Sequence, residues 1–373
     1  MSAPRRVGHM FTPAGKIRET YAAGLLRQML EIPSPSCHEG ELAAYLADAM
    51  TALGFTAAVD ATGNVIGTVV RGTGPAVLLL GHLDTVPGDI PVHAAQGRLY
   101  GRGAADAKGP LAAMICAAAS ATAFTGRITV VGAVEEETPG SRGAMAIRET
   151  HPRPDVCIIG EPTGSATVVL GYKGKLDLRY AVRCPRAHPT SPAPKASELA
   201  AASWRALTDI LGETGHTAFH LPGVTLNSIY GDTAEATACL SVRTPPGFDT
   251  AALVAALRAQ LPVGELTVVN SVAACRADRR NQAVRALTAA IRRQSARPAV
   301  RLKTATSDMN TLAEVWDVPM ATYGPGDSSL DHADDEHIVL DDYFRGVAVL
   351  ADALGELSAL PADNPAGLGR SQK

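Results

Sequence analysis

Val77-Leu78-Leu79-Leu80-Gly81-His82-Leu83-Asp84 is a run of branched apolar residues that ends on a histidine and an acid. The pattern recurs: residues 128–134 lead into Glu135-Glu136-Glu137, and residues 156–159 lead into Gly160-Glu161. Short, unbroken apolar runs are what strands buried on both faces of a parallel sheet require. Open sheets of that kind build their binding sites beyond the carboxyl ends of the strands, where these polar residues fall. Helical patterns separate the runs. Residues 42–53 read as an amphipathic helix stopped by Gly54, and Pro110 opens an apolar helix to about residue 123, in the first-turn position that proline tolerates. Strand and helix signals alternate from about residue 18 to 160, which predicts an α/β domain with a mainly parallel sheet and helices on both faces.

The rhythm then changes. Strand 171–183, helix 195–212, strand 223–230, strand 234–243, helix 249–260 and strand 265–272 follow one another, a ferredoxin-like βαββαβ order. A helix at 281–294, a short strand at 319–323 and a closing helix at 341–357 return to the first pattern. The expected organisation is a catalytic domain of residues 1–168 and 277–360, interrupted by an inserted domain of residues 169–276. Residues 361–373, rich in Pro, Gly and polar side chains, are expected to be disordered.

With 373 residues there is enough chain for two cores, and 46% hydrophobic against 19% charged residues fits a globular enzyme. A net charge of −3 gives no reason to expect nucleic acid as partner. The six cysteines are scattered and read as reduced thiols. No stretch approaches the ~20 apolar residues of a membrane span, and no apolar run follows Arg5 and Arg6 as in a signal peptide. The expected location is therefore the cytoplasm.

His82, the glutamate run, Glu161 and His332 follow predicted strands, and Asp106 sits in the glycine-flanked loop 101–106. Taken singly, each reads more often as a solvated loop residue than as a ligand. As a set, two histidines and three carboxylates suit zinc, with cobalt or manganese as substitutes. A structural zinc site would favour cysteines instead.

The segments 81–87, 101–108, 135–137, 160–162 and His332-Ala333-Asp334-Asp335-Glu336 resemble, in the same order, the dizinc deacylase and carboxypeptidase family. That family includes acetylornithine deacetylase, succinyl-diaminopimelate desuccinylase and carboxypeptidase G. The resemblance implies two zinc ions per subunit, one on His82 and Glu161, the other on Glu137 and His332, with Asp106 between them. Glu136 would be the general base and Asp84 the partner that orients His82. Two cations about 3.5–4 Å apart acidify a shared water and polarise an amide carbonyl, and a nearby carboxylate can take the proton.

The inserted domain resembles the family's lid and dimerisation domain, which implies a homodimer. Its His188 matches the histidine that reaches into a neighbour's site to stabilise an oxyanion, although Pro189 stands where the family usually has Ser. Lys173, Asn227, Arg243 and Thr306 match positions that hold a substrate carboxylate, Arg243 foremost because a guanidinium offers two parallel bonds. Tyr172-Lys173-Gly174, residues 306–310 and Gly324-Pro325-Gly326-Asp327 resemble the branch that releases lysine or ornithine from a small amino-group carrier protein. Small-molecule N-acetylornithine or N-acetyllysine deacetylation, succinyl-diaminopimelate hydrolysis, and a non-catalytic metal-binding homologue are the alternatives. Eight arginines and a lysine between Arg276 and Lys303, against the single acid Asp278, form a basic strip that reads either as solubilising surface charge or as a surface that would attract an acidic carrier.

Overall fold

In the computed structural model, residues 10–188 and 190–359 are described. The tail expected to be disordered lies outside them. The chain divides into two compact units, one running to Leu170 and resuming over Ala277–Arg301 and from Val315, the other Gly171–Arg276 with Leu302–Glu314.

The first unit holds strands in the order Thr56–Val59, Val65–Arg71, Gly126–Ala133, Ala76–His82, Val156–Ile159, Met320–Thr322 and Thr167–Tyr172. The middle strands, from Gly126–Ala133 to Met320–Thr322, run parallel, and the flanking pairs are antiparallel. The strands made by the apolar runs are thus parallel, as those runs predict, and the strands at both edges of the sheet are antiparallel. Val77 through His82 are buried without a break, so both faces of that strand are covered.

Helix Lys108–Ser120 begins two residues earlier than the proline predicts. Lys108 secures the start: its buried ammonium donates to the carbonyls of Met29 (3.1 Å) and Ile32 (2.8 Å). Pro110 still falls in the first turn, where no amide is needed. The helix is alanine-rich and buried as far as Ala119, which lets it lie close over the strand ends. Glycines make the fit possible. A Cβ on Gly81 would stand 3.4 Å from the Leu111 side chain, and one on Gly160 would meet Met114 at 2.9 Å. These glycines precede His82 and Glu161, so the same contact seats both site residues under the helix that follows Asp106. A small antiparallel sheet pairs Arg98–Tyr100 with His93–Ala95 and with His337–Val339.

The second unit has the predicted βαββαβ order, with an antiparallel sheet ordered Gly223–Gly231, Glu235–Thr244, Gly174–Arg183, Glu265–Val272. Burial alternates along Gly174–Arg183, as it must when only one face is covered. Leu176, Leu178, Tyr180, Leu207, Leu240 and Leu257 form its core with helices Ala196–Leu211 and Thr250–Gln260.

Two expectations change. The predicted strand 171–183 is two strands, Thr167–Tyr172 and Gly174–Arg183, broken at Lys173. There the backbone leaves the ladder, its N–H bonding the Lys303 carbonyl and its carbonyl accepting from the Asn310 amide. Residues 302–314, read from the sequence as catalytic-domain chain, group with the inserted unit, because Asn310 also donates to the Ala273 carbonyl at 2.8 Å. Among the described residues, no helix is long and apolar enough to cross a membrane.

Candidate active site

The sequence places three glutamates side by side, a costly arrangement unless they diverge. They diverge because Glu135 takes a left-handed backbone (φ 59°). Such a residue costs roughly 1–3 kcal/mol and needs its neighbours to hold it. The Glu39 carboxylate accepts the Glu135 amide at 3.1 Å, and Arg142 pairs with the Glu135 side chain at 2.7 Å. The amides of Glu136 and Glu137 then donate to the two oxygens of Asp84, each at 3.0 Å. Ser36 also donates to Asp84, at 2.8 Å. Burial works to raise the Asp84 carboxyl, but the bonds from His82, Ser36 and Glu137 outweigh it and hold its pKa low.

His82 is buried at its strand end, with Nδ1 2.9 Å from the Asp84 carbonyl oxygen and 3.5 Å from its carboxylate. A carbonyl only accepts, so Nδ1 carries a proton, and Nε2 is the nitrogen turned to Asp106, 3.3 Å away. Of the contacts between His82 and Asp84, the shorter runs to the Asp84 backbone carbonyl, while the Asp84 carboxylate accepts the amides of the glutamate turn. The other Asp106 oxygen lies 3.4 Å from His332 Nε2, which is also 3.0 Å from a Glu137 oxygen.

Among the described residues, three acid and histidine groups could each hold a cation: His82 with Glu136 and Glu137, His82 with Asp106 and Glu161, and Asp106 with Glu137 and His332. Within each group the ligand atoms lie within 4.8 Å of one another. The donors are imidazole and carboxylate with no thiol, a set that fits a divalent cation and can leave a position for water. His82, Asp106 and Glu137 each belong to two of the three groups.

The histidines and carboxylates here shift one another's ionisation. Burial opposes ionisation of Asp106, yet hydrogen bonds to His332 and His82 hold its carboxyl well below the usual range. His332 is pushed up to about 9, chiefly by its bond to Asp106 and then by Glu137. A raised histidine pKa stabilises the folded state fully below the unfolded value and loses that contribution as pH rises through about 9. Metal-free protein is therefore expected to lose melting temperature between pH 6.5 and 8, and His332→Gln to lose less over the same window. Equal slopes in thermal melts would remove the ion-pair assignment.

The remaining candidates lie on the second unit. Arg243 donates to Thr306 Oγ1 at 2.9 Å, bringing those two together, and Asn227 is exposed with its amide on Ser241 Oγ at 2.9 Å. Lys173, expected on a substrate carboxylate, is instead buried, its ammonium donating to the carbonyls of Gly215 (3.2 Å) and Leu221 (2.5 Å). His188 is exposed, with Nδ1 2.8 Å from Thr190 Oγ1, and belongs to none of the three groups. Sequence reasoning assigned no role to Ser36, Glu39 or Glu336, although Glu336 closes the motif that begins at His332.

Residues 78–356 match Peptidase family M20/M25/M40. The chain belongs to that family. Membership makes this M20 chain a hydrolase, and its fold agrees: it superposes on an M20 family metallo-carboxypeptidase from Sulfolobus solfataricus with a TM-score of 0.77 at 18% identity, covering 92% of this chain and 100% of that one. Among curated relatives, a LysW-lysine hydrolase of Deinococcus radiodurans is 41% identical over 353 residues, 90% of this chain and 97% of the relative. A putative LysW-lysine/LysW-ornithine hydrolase of Thermococcus kodakarensis is 37% identical over 338 residues, covering 89% and 91%.

Proposed function

We propose that this M20 hydrolase releases lysine or ornithine from a small amino-group carrier protein of the LysW kind, cleaving the amide that caps the α-amino group. The observation that carries the reading is the shared Asp106, flanked by His82 and His332, in a chain 41% identical to a LysW-lysine hydrolase along 90% of its length. His82 and Glu161 would hold one zinc, Glu137 and His332 the other, and Asp106 both; cobalt or manganese could substitute. When bound, the two ions polarise the amide carbonyl and acidify the attacking water. Glu136 takes the proton from that water and returns it to the leaving nitrogen. Asp84 keeps Glu136 in place through its amide, and Arg243 with Thr306 binds the carboxylate of the amino acid that leaves. A homodimer formed through the inserted unit would supply His188 of a second copy as oxyanion donor. The reaction belongs in the cytoplasm, where such a carrier would be charged and discharged.

The deciding assay offers purified enzyme a carrier-linked lysine, a carrier-linked ornithine, N-acetyllysine, N-acetylornithine and succinyl-diaminopimelate. A preference for the carrier-linked substrates supports the reading, and turnover of only the small ones replaces it with deacylation of free amino acids.

Carrier docking gives a second test. On helix Gln282–Arg293, Val284, Leu287 and Ile291 are buried, while Arg285 and Arg292 are exposed. Arg293 is engaged with Glu356 and Asp352 of the closing helix, so it is a structural pair more than a docking charge. For an acidic carrier, kcat/KM is expected to fall about tenfold from low to physiological salt, and by a similar factor when Arg285 and Arg292 become Glu. Turnover of a small N-acyl amino acid should barely change. Equal salt sensitivity for both substrates would end the docking role.

A further inference from the structure

Glu336 has its carboxylate almost wholly out of solvent, at 1% exposure, and among the described residues it belongs to none of the three candidate cation groups. Its Oε1 accepts the amides of Ala105 (2.9 Å) and Asp106 (3.0 Å). Its Oε2 accepts the amide of Gly103 (3.0 Å) and the Arg102 guanidinium (2.9 Å). Four donors thus converge on one buried anion, and all of them come from the loop that ends at Asp106. Successive amides turned inward around a carboxylate form an anion-binding concavity. The loop is shaped to offer them: Gly103 has φ 87°, and a Cβ there would lie 2.8 Å from Thr85 Cγ2.

The position of Glu336 in the chain gives this arrangement its consequence. It stands four residues after His332, at the end of the loop that carries that histidine, and its own carbonyl accepts the Gly101 amide at 3.2 Å. Arg102 extends the clamp, donating also to the Ala333 carbonyl at 2.9 Å. Beyond Glu336 the strand His337–Val339 pairs with Arg98–Tyr100, the strand that leads into the Asp106 loop. Two loops far apart in sequence, one bearing Asp106 and the other His332, are therefore tied at a single carboxylate.

We propose that Glu336 is the positioning residue of the candidate metal site, fixing Asp106 and His332 relative to each other so that both can serve cations at once. The inference rests on the proposed metal-site reading. Partners that hold a ligand in orientation typically matter by about 10- to 100-fold in metal affinity. Glu336→Gln keeps the size but replaces one acceptor oxygen with an amide that faces two N–H donors, so it should move the Asp106 loop. Arg102→Gln leaves three backbone donors in place and should act in the same direction, more weakly.

The experiment is metal binding, not turnover. Metal-free wild type and both variants are titrated with Co(II) against a competing chelator, and the visible spectrum and bound stoichiometry are recorded. The expected result is two ions for wild type, and for Glu336→Gln an affinity for at least one ion weakened about 10- to 100-fold with an altered spectrum. Leu207→Ala, in the core of the other unit, serves as control: it should lower melting temperature yet bind both ions as wild type does. Wild-type affinity and spectrum in folded Glu336→Gln would overturn the inference. Should that variant not fold, wild-type binding by Arg102→Gln would overturn it equally. Failure of wild type itself to bind cobalt would instead overturn the metal-site reading, so the two failures are distinguishable.

Discussion

Replacing Glu136 with Gln is expected to lower kcat by about 10²- to 10⁴-fold while bound metal stays at the wild-type level. The two side chains have the same shape, and the backbone at this position is held by Asp84 through an amide that the substitution leaves intact. What disappears is the capacity to accept a proton from water and deliver it to the leaving nitrogen. Glu137→Gln should behave differently. Its carboxylate lies 3.0 Å from His332 and shares a group with Asp106, so loss of its charge should reduce metal content first and activity as a consequence. Parallel measurement of kcat and of metal retained after gel filtration separates the two roles. If both variants keep their metal and most of their activity, the division of labour within the glutamate run is wrong.

Mixing two inactive chains is expected to restore activity. His188→Ala should lower turnover by about 10²- to 10³-fold, the usual cost of an oxyanion donor. Combined with Glu136→Gln in a dimer, it leaves one site with a wild-type Glu136 and a His188 from the other copy. Random pairing at equal concentrations makes half the dimers mixed, each with one competent site of two, so about a quarter of wild-type activity should return. The exposed position of His188 in its own unit is compatible with a group that works elsewhere. Two results would sink the idea: no recovery from chains shown to exchange, or full wild-type activity in a chain that sedimentation shows to be monomeric.

Much of this protein was legible as sequence because its signals are local. Unbroken apolar runs specify strands buried on both faces, and strands of that kind in a parallel sheet put their carboxyl ends at the site. His82, Glu136, Glu137 and Glu161 could therefore be found at the carboxyl end of each run. The βαββαβ unit was equally local, since each element announces itself by period and by turn residues. His332 and Asp106, on loops, were found through the motifs around them.

Only the tertiary structure decided which neighbour each of these residues has. Three adjacent glutamates look alike in a sequence, and it is the left-handed turn at Glu135, held by Glu39 and Arg142, that sends one away and leaves two facing the histidines. Lys173 carries the same charge wherever it lies, and burial against the carbonyls of Gly215 and Leu221 makes it a structural cation here. Glu336 stood in plain view beside His332, yet nothing in its spelling shows that three amides and a guanidinium from residues 102–106 point at it. Chemistry-bearing residue types and element periods are properties of a few consecutive residues, so the sequence states them outright. The donors that meet a buried carboxylate come from loops brought together by the whole fold, and that convergence exists only once both strands flanking the loops have paired.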